Sequence, residues 1–295
     1  MTLRFEGTFT ALVTPFKDDL TIDWNAFDKL VEAQIASGVQ GIVPCGTTGE
    51  SPALDHEEQL ELVRRCVKIA KGKTIVLAGT GTNATRSTIN ASQAAARAGA
   101  DALMVVVPYY NKPSQDGLRQ HYLDVAAAVD KPIVVYNIPG RTGIDLTTDT
   151  LARICDKASN VVAVKEATCN VVRAQEIVRT IGSRISVLSG DDALTLAMIA
   201  VGARGVISVT SNLHPTEVTR TTRLALDGKF EDARREHLAL CAVHETMFIE
   251  ANPAPIKAAL AHQGRMKDVV RGPLARITEG ARSKVIAAMK SYEAR

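Results

Sequence analysis

Eight short apolar runs punctuate the chain, with helical segments between them. The runs are Thr8–Val13, Gly41–Cys45, Thr74–Ala78, Ala102–Val107, Pro132–Tyr136, Val161–Val164, Ile185–Leu188 and Gly205–Val209. None alternates cleanly between apolar and polar residues, which is the pattern of strands buried on both faces in a parallel sheet. The intervals carry helical period. Asp23 precedes Trp24, Phe27, Leu30, Val31 and Ile35 on one face, and Gly38 follows as a stop. Asp55 and Glu58 have the spacing of a capping box, Thr85 opens a further helix, and Pro215 suits a first helical turn. Gly38, Gly99 and Gly202 each close a helix just before a strand, where a left-handed residue is wanted. Strand starts lie about 20 to 33 residues apart, the size of a βαβ unit.

Eight such units predict a (β/α)8 TIM barrel over residues 1–228, with a C-terminal α-helical extension over 229–295. A doubly wound open sheet shares the same local pattern. In the tail, Phe230–Glu250 and Leu274–Met289 read as long helices, and Pro253, Pro255 and Pro273 as breaks.

Composition removes several function classes. Of 295 residues, 46% are hydrophobic and 23% charged, an ordinary globular balance with enough chain for a large core. A net charge of +3 and 4% aromatic residues argue against a nucleic-acid surface. No apolar run approaches the roughly 20 residues of a spanning helix. The first residues lack the apolar stretch of a secretory signal. Cys45, Cys66, Cys155, Cys169 and Cys241 are scattered and odd in number, so they read as reduced thiols in a cytoplasmic protein. The expected partners are small molecules, not nucleic acid or membrane.

Two motifs are set aside. Gly79-Thr-Gly81-Thr-Asn-Ala84 has the outline of a dinucleotide fingerprint, but Asp101 precedes the next strand instead of ending it, so a barrel loop is the better reading. His237 and His244 lie a heptad apart and read as a solvated or half-buried helix face, not as metal ligands. No metal site is expected.

Barrel enzymes hold their reacting groups at the carboxyl ends of the strands. Lys165 ends the sixth run, Val161-Val-Ala-Val. It is either a structural lysine paired to an acid such as Glu166 or a Schiff-base nucleophile, since an apolar setting disfavours an ammonium. Tyr136 ends the fifth run and is a core tyrosine or a proton carrier. Arg141 follows in a Gly-rich loop, either solvated or placed to grip a carboxylate. After the second run, Gly46-Thr47-Thr48-Gly49 offers hydroxyls and backbone N–H groups to an anion. The other strand ends present Tyr109 and Tyr110, Gly190 with Asp191 and Asp192 as helix caps, and Ile207 with Ser208.

At Gly46–Ser51, Tyr136–Gly143 and Val164–Thr168 the sequence resembles the dihydrodipicolinate synthase family, within the pyruvate-dependent class I aldolases that include sialic acid lyase. The likeness runs from Gly7 to Asn252-Pro-Ala-Pro-Ile-Lys257. It implies a (β/α)8 barrel with helical C-terminal domain. The implied reaction is condensation of pyruvate with L-aspartate 4-semialdehyde to 4-hydroxy-tetrahydrodipicolinate, in diaminopimelate and lysine biosynthesis, with no cofactor. Carried over by position, Lys165 is the Schiff-base lysine and Tyr136 the proton carrier. Thr47 links Tyr136 to a second tyrosine, Tyr110, supplied by a neighbouring subunit of a homotetramer built from tight dimers. Thr47 and Thr48 hold the pyruvate carboxylate, Arg141 the semialdehyde carboxylate, and Gly190 and Ile207 line the pocket. An allosteric lysine site is implied near Pro52, His56, Gln59, Asn83, Ser87 and Tyr109. His56, Asn83 and Tyr109 fit it, whereas Ser87 and Gln59 depart from lysine-sensitive members, so lysine inhibition is expected to be weak or absent. The competing readings are a related aldolase acting on a 2-keto sugar acid and a non-catalytic barrel that binds a small acid.

Overall fold

The computed structural model describes residues 5–294. Eight parallel strands close into a barrel in chain order: β1 Gly7–Ala11, β2 Gly41–Val43, β3 Ile75–Gly79, β4 Ala102–Val106, β5 Ile133–Asn137, β6 Val161–Glu166, β7 Ser186–Ser189 and β8 Gly205–Ser208. The seam is a β1–β8 pairing that runs from Gly7 opposite Gly205 to Thr10 opposite Ser208. The closed order excludes the open doubly wound sheet. All eight apolar runs become strands, with ends that move by one or two residues, as where β6 runs on to Glu166.

The helices that follow are α1 Trp24–Ala36, α2 His56–Ala70, α3 Thr85–Arg97, α4 Gln115–Ala127, α5 Pro139–Thr142, α6 Thr148–Cys155, α7 Val171–Ile181, α8 Thr195–Ala200 and α9 Pro215–Leu226. Their starts follow the local chemistry. Asp23 accepts the Ala26 N–H, and Asp55 and Glu58 form a complete capping box ahead of α2. Gly38, Gly99 and Gly202 take φ of 75°, 97° and 105° between each helix and its next strand.

Strand alternation divides the core into two layers. Phe9, Val43, Leu77, Met104, Val134, Tyr136, Ala163, Leu188 and Ile207 fill the barrel. A larger outer layer, including Ile42, Leu103, Val135 and Val164, packs against the helices. Every strand is therefore buried on both faces, which explains the absence of polar alternation in the sequence.

The tail forms α10 Phe230–Thr246, α11 Ala254–His262 and α12 Glu279–Glu293. Two expectations shift here. The first tail helix stops at Thr246, four residues short of Glu250, and the last begins at Glu279 instead of Leu274. Thr278 sets that later start: its hydroxyl accepts the Ala281 N–H, while its own N–H and hydroxyl donate to the Glu250 carboxylate. No helix among the described residues is long and apolar enough to cross a membrane.

His237 and His244 are buried, contrary to the expected solvated or half-buried face. They sit on the side of α10 that faces the barrel. His237 Nε2 bonds the Ala193 carbonyl at 3.1 Å and His244 Nδ1 bonds the Thr210 hydroxyl at 2.9 Å. Burial lowers the proton affinity of both, and of His214. His121 on α4 is lowered to about 4 by the same desolvation; its Nδ1 bonds the Thr85 hydroxyl. A histidine pKa depressed on folding gives stability that is complete above about 6.5 and is lost as pH falls toward the folded value. Denaturation midpoints should therefore drop between pH 6.5 and 4.5. His121→Phe should flatten that slope, by up to about 3 kcal/mol at the acid end. A slope unchanged in this variant would remove His121 from the acid response.

Candidate active site

The carboxyl ends of β5 and β6 bring together two of the candidate groups, Tyr136 and Lys165. The two strands pair with Tyr136 opposite Lys165 and, one residue on, Asn137 opposite Glu166. Alternation turns Tyr136 and Lys165 inward and Asn137 and Glu166 outward. Lys165 is 5% exposed, and its Nζ lies 4.1 Å from the centroid of the Tyr136 ring. Among the described residues no carboxylate lies within ion-pair distance of it. The structural alternative, a Lys165–Glu166 pair, is thereby excluded: the strand sends the two side chains to opposite faces.

Glu166 has its own partners. Its carboxylate accepts the Thr168 N–H at 2.8 Å and the Asn137 amide at 3.2 Å, and burial raises its proton affinity above the usual carboxylate range. Asn137 also donates to Asp145 at 2.8 Å and accepts the Leu146 N–H at 3.1 Å. Asp145 in turn pairs with Arg173. A polar clamp thus lies directly behind the Tyr136–Lys165 pair and fixes the two strand ends together.

The turn after β2 is folded on itself. Gly49 and Ser51 donate their N–H groups to the Gly46 carbonyl, and Glu50 donates to Thr47. The N–H groups of Thr47 and Thr48 have no acceptor inside the turn. Thr48 is buried, and its hydroxyl accepts the Asn252 side-chain amide at 3.0 Å. Glu50, in the left-handed region at φ 57°, forms a buried ion pair with Lys257. Sequence reasoning missed Glu50, Asn252 and Lys257 as supports of the site; the Gly46–Ser51 stretch and the Asn-Pro-Ala-Pro-Ile-Lys segment had held them only as parts of the family likeness.

A cavity of about 390 Å³ opens between the ends of β2, β3, β4 and β5. Thr47, Tyr109, Tyr136 and Arg141 line it, with Ser51, Pro52 and Gln59 toward one side. Arg141 is the one charged side chain among the described residues lining it. The Arg141 guanidinium reaches the Asn252 carbonyl at 3.5 Å. Gly79 and Gly81 lie on the wall because side chains there would strike the Cys45 carbonyl and the Val106 N–H. This close loop packing accounts for the glycines of the apparent dinucleotide fingerprint.

Other expected residues fall around this cavity. Lys165, Thr48, Gly190 and Ile207 are not among the residues that line it; Lys165 stands beside Tyr136, which does, Gly190 packs on Ala167 and Glu166, and Ile207 belongs to the barrel interior. Tyr110 is 88% exposed at φ 72°, with no hydroxyl contact to Thr47 or Tyr136 among the described residues. His56 borders a small neighbouring cavity with Gln59, and the Asn83 carbonyl accepts from Asn111 at 2.8 Å. Asp192 does not cap α8. Its carboxylate accepts the Ser208 hydroxyl and the Val209 and Thr210 N–H groups, so it ties β7 to the end of β8. No cluster of metal-ligating side chains occurs among the described residues.

A barrel whose sixth strand ends in an unpaired buried lysine against a tyrosine ring is the layout of a class I aldolase. The chain belongs to the Dihydrodipicolinate synthetase family, whose profile matches residues 4–292. It is 57% identical to the 4-hydroxy-tetrahydrodipicolinate synthase of Sorangium cellulosum, over 99% of this chain and 98% of that one. It is 45% identical to the Geotalea daltonii enzyme of the same name, over 98% and 99% of the two chains. Among solved structures, the 4-hydroxy-tetrahydrodipicolinate synthase of Methylacidiphilum fumariolicum SolV superposes with a TM-score of 0.97 at 42% identity, covering 99% of this chain and 97% of that one. Dihydrodipicolinate synthase from Aquifex aeolicus gives 0.96 at 44% identity, covering 98% of each chain.

Asn137→Ala should leave Glu166 and the Leu146 N–H short of buried partners. We expect a loss of about 2–4 kcal/mol in urea denaturation, together with reduced turnover. An unchanged midpoint would show that the clamp is dispensable.

Proposed function

We propose that the chain condenses pyruvate with L-aspartate 4-semialdehyde through a Schiff base on Lys165, giving 4-hydroxy-tetrahydrodipicolinate in the diaminopimelate route to lysine. The chain is a lyase of the class I aldolase type, as its family membership entails. The observation that carries the site assignment is Lys165 itself: buried, free of a carboxylate partner and set against the Tyr136 ring. An amine free of a counter-ion in an apolar wall is disposed to act as a nucleophile.

The Lys165 amine adds to the ketone carbon of pyruvate, and water leaves to give a protonated imine. Loss of a methyl proton, relayed through Tyr136, gives the enamine. Its carbon attacks the aldehyde carbon of the semialdehyde. The substrate's own amine then displaces Lys165 and closes the ring, returning the lysine free. The protonated imine is the electron sink, so these steps call on no cofactor. Thr47 and Thr48, with N–H groups not engaged in their own turn, receive the pyruvate carboxylate. Arg141 receives the semialdehyde carboxylate. A cavity whose one charged wall residue is a guanidinium favours this acidic pair over a 2-keto sugar acid. A non-catalytic binder would gain nothing from a buried free lysine.

We assign Tyr110 to the cavity of a neighbouring protomer, because an exposed tyrosine beside the site has no role within its own chain. The assembly is a homotetramer of tight dimers. Five free cysteines suit a reducing, cytoplasmic setting.

Pyruvate consumption by the purified protein should require both the semialdehyde and Lys165, and Lys165→Ala should abolish it. Pyruvate left untouched in the presence of the semialdehyde would end the synthase reading. Tyr110→Phe should lower kcat about 100-fold with the assembly intact by sedimentation; an unaffected kcat would remove Tyr110 from the relay. The cavity wall near Pro52, Gln59 and Tyr109 carries no carboxylate among the described residues, and Gln59 is already bonded to the Ser51 carbonyl. A lysine ammonium finds no counter-charge there, so inhibition by lysine should be weak or absent. Strong inhibition at low lysine concentration would overturn this.

A further inference from the structure

We infer that Lys257, in the C-terminal helical segment, is a positioning residue for the pyruvate-carboxylate turn and acts through Glu50. This rests on the assignment of Thr47 and Thr48 to pyruvate.

Lys257 is fully buried at 0% exposure, and its ammonium makes two hydrogen bonds and faces an aromatic ring. Its Nζ pairs with Glu50 Oε1, donates to the Val269 carbonyl at 2.8 Å and lies 4.2 Å from the centroid of the Phe16 ring. Glu50 Oε2 accepts the Arg271 N–H at 2.9 Å. The Arg271 guanidinium covers the Phe16 ring at 4.4 Å and pairs with Glu58. Two segments from the far end of the chain therefore converge on one carboxylate.

That carboxylate belongs to the residue that closes the turn. The Glu50 N–H holds the Thr47 carbonyl at 3.0 Å, and the Thr14 hydroxyl holds the Gly49 carbonyl at 2.7 Å. Glu50 keeps a left-handed backbone although it is not glycine, which requires outside restraint. If its side chain were released, the Thr47 and Thr48 N–H groups would lose their fixed aim, while Arg141 on α5 and Lys165 on β6 would keep theirs. The pair is an expensive way to stabilise a core, because two buried charges rarely outperform apolar packing. Fixing a catalytic turn gives it a use that core packing alone does not.

The test compares Glu50→Gln, Lys257→Met and the double variant with the unmodified enzyme. Borohydride trapping of pyruvate on Lys165, read by mass, is done first on the unmodified enzyme, so that failure of the Schiff-base assignment is seen separately. The single variants each leave a buried group without its partner and should melt lower. The double variant removes both charges and should recover most of the melting temperature. It should nevertheless keep a KM for pyruvate raised about tenfold or more, with the KM for the semialdehyde within about twofold. Recovery of the pyruvate KM together with the melting temperature, or an equal rise in both KM values, would overturn the proposal and leave the pair a purely structural one.

Discussion

Closure of the barrel at the β1–β8 seam is the constraint on which the rest depends. A parallel sheet that does not close leaves two edges and scatters its strand ends along a line. Here Gly7 and Gly205 face each other so closely that a Cβ on Gly205 would lie 2.0 Å from the Gly7 carbonyl oxygen. Only a bare backbone permits that approach. Once the seam is made, all eight carboxyl ends form one ring, and groups almost a hundred residues apart in sequence surround one cavity. The strand register then does the fine placement. The pairing of β5 with β6 puts Tyr136 against Lys165 inside and Asn137 against Glu166 outside, so one ladder both presents the reactive pair and braces it.

The tail completes the site from outside the barrel. Asn252 reaches Thr48, its carbonyl meets Arg141, and Lys257 reaches Glu50. The two groups assigned to the substrate carboxylates thus both touch Asn252, Thr48 through its side-chain amide and Arg141 through its carbonyl. A barrel ending at α9 would possess Lys165 but would lack the Asn252 contacts to the turn after β2 and to Arg141.

Much of this was legible in the sequence. The eight strands could be read because burial on both faces leaves continuous apolar runs, and the helix starts because caps are local chemistry: Asp23, Asp55 and Glu58 act within three residues of themselves. Lys165 and Tyr136 stood out as polar groups ending apolar strands. What escaped was long-range. Glu50 and Lys257 lie 207 positions apart, and neither looks unusual beside its own neighbours. His237 and His244 were misread because α10 turns that face toward the barrel, which the helical period of α10 does not reveal. Asp192 was given to the nearest helix, whereas its carboxylate in fact accepts from the N–H groups after β8.

Electrostatics links the cavity to its proposed substrates. Apart from Arg141, the wall is neutral among the described residues, and the nearby acids are already committed: Glu50 to Lys257, Glu58 to Arg271 and Glu166 to Asn137 and Thr168. Two carboxylated substrates therefore meet one guanidinium and the turn N–H groups, with no competing anion in the wall. Repulsion between the substrates is lessened by separation, since Arg141 stands on the loop after β5 and the Thr47–Thr48 turn on the loop after β2. The same arrangement disfavours a free amino acid with a cationic side chain. The proposed selectivity for acids and the proposed indifference to lysine thus rest on one distribution of charge.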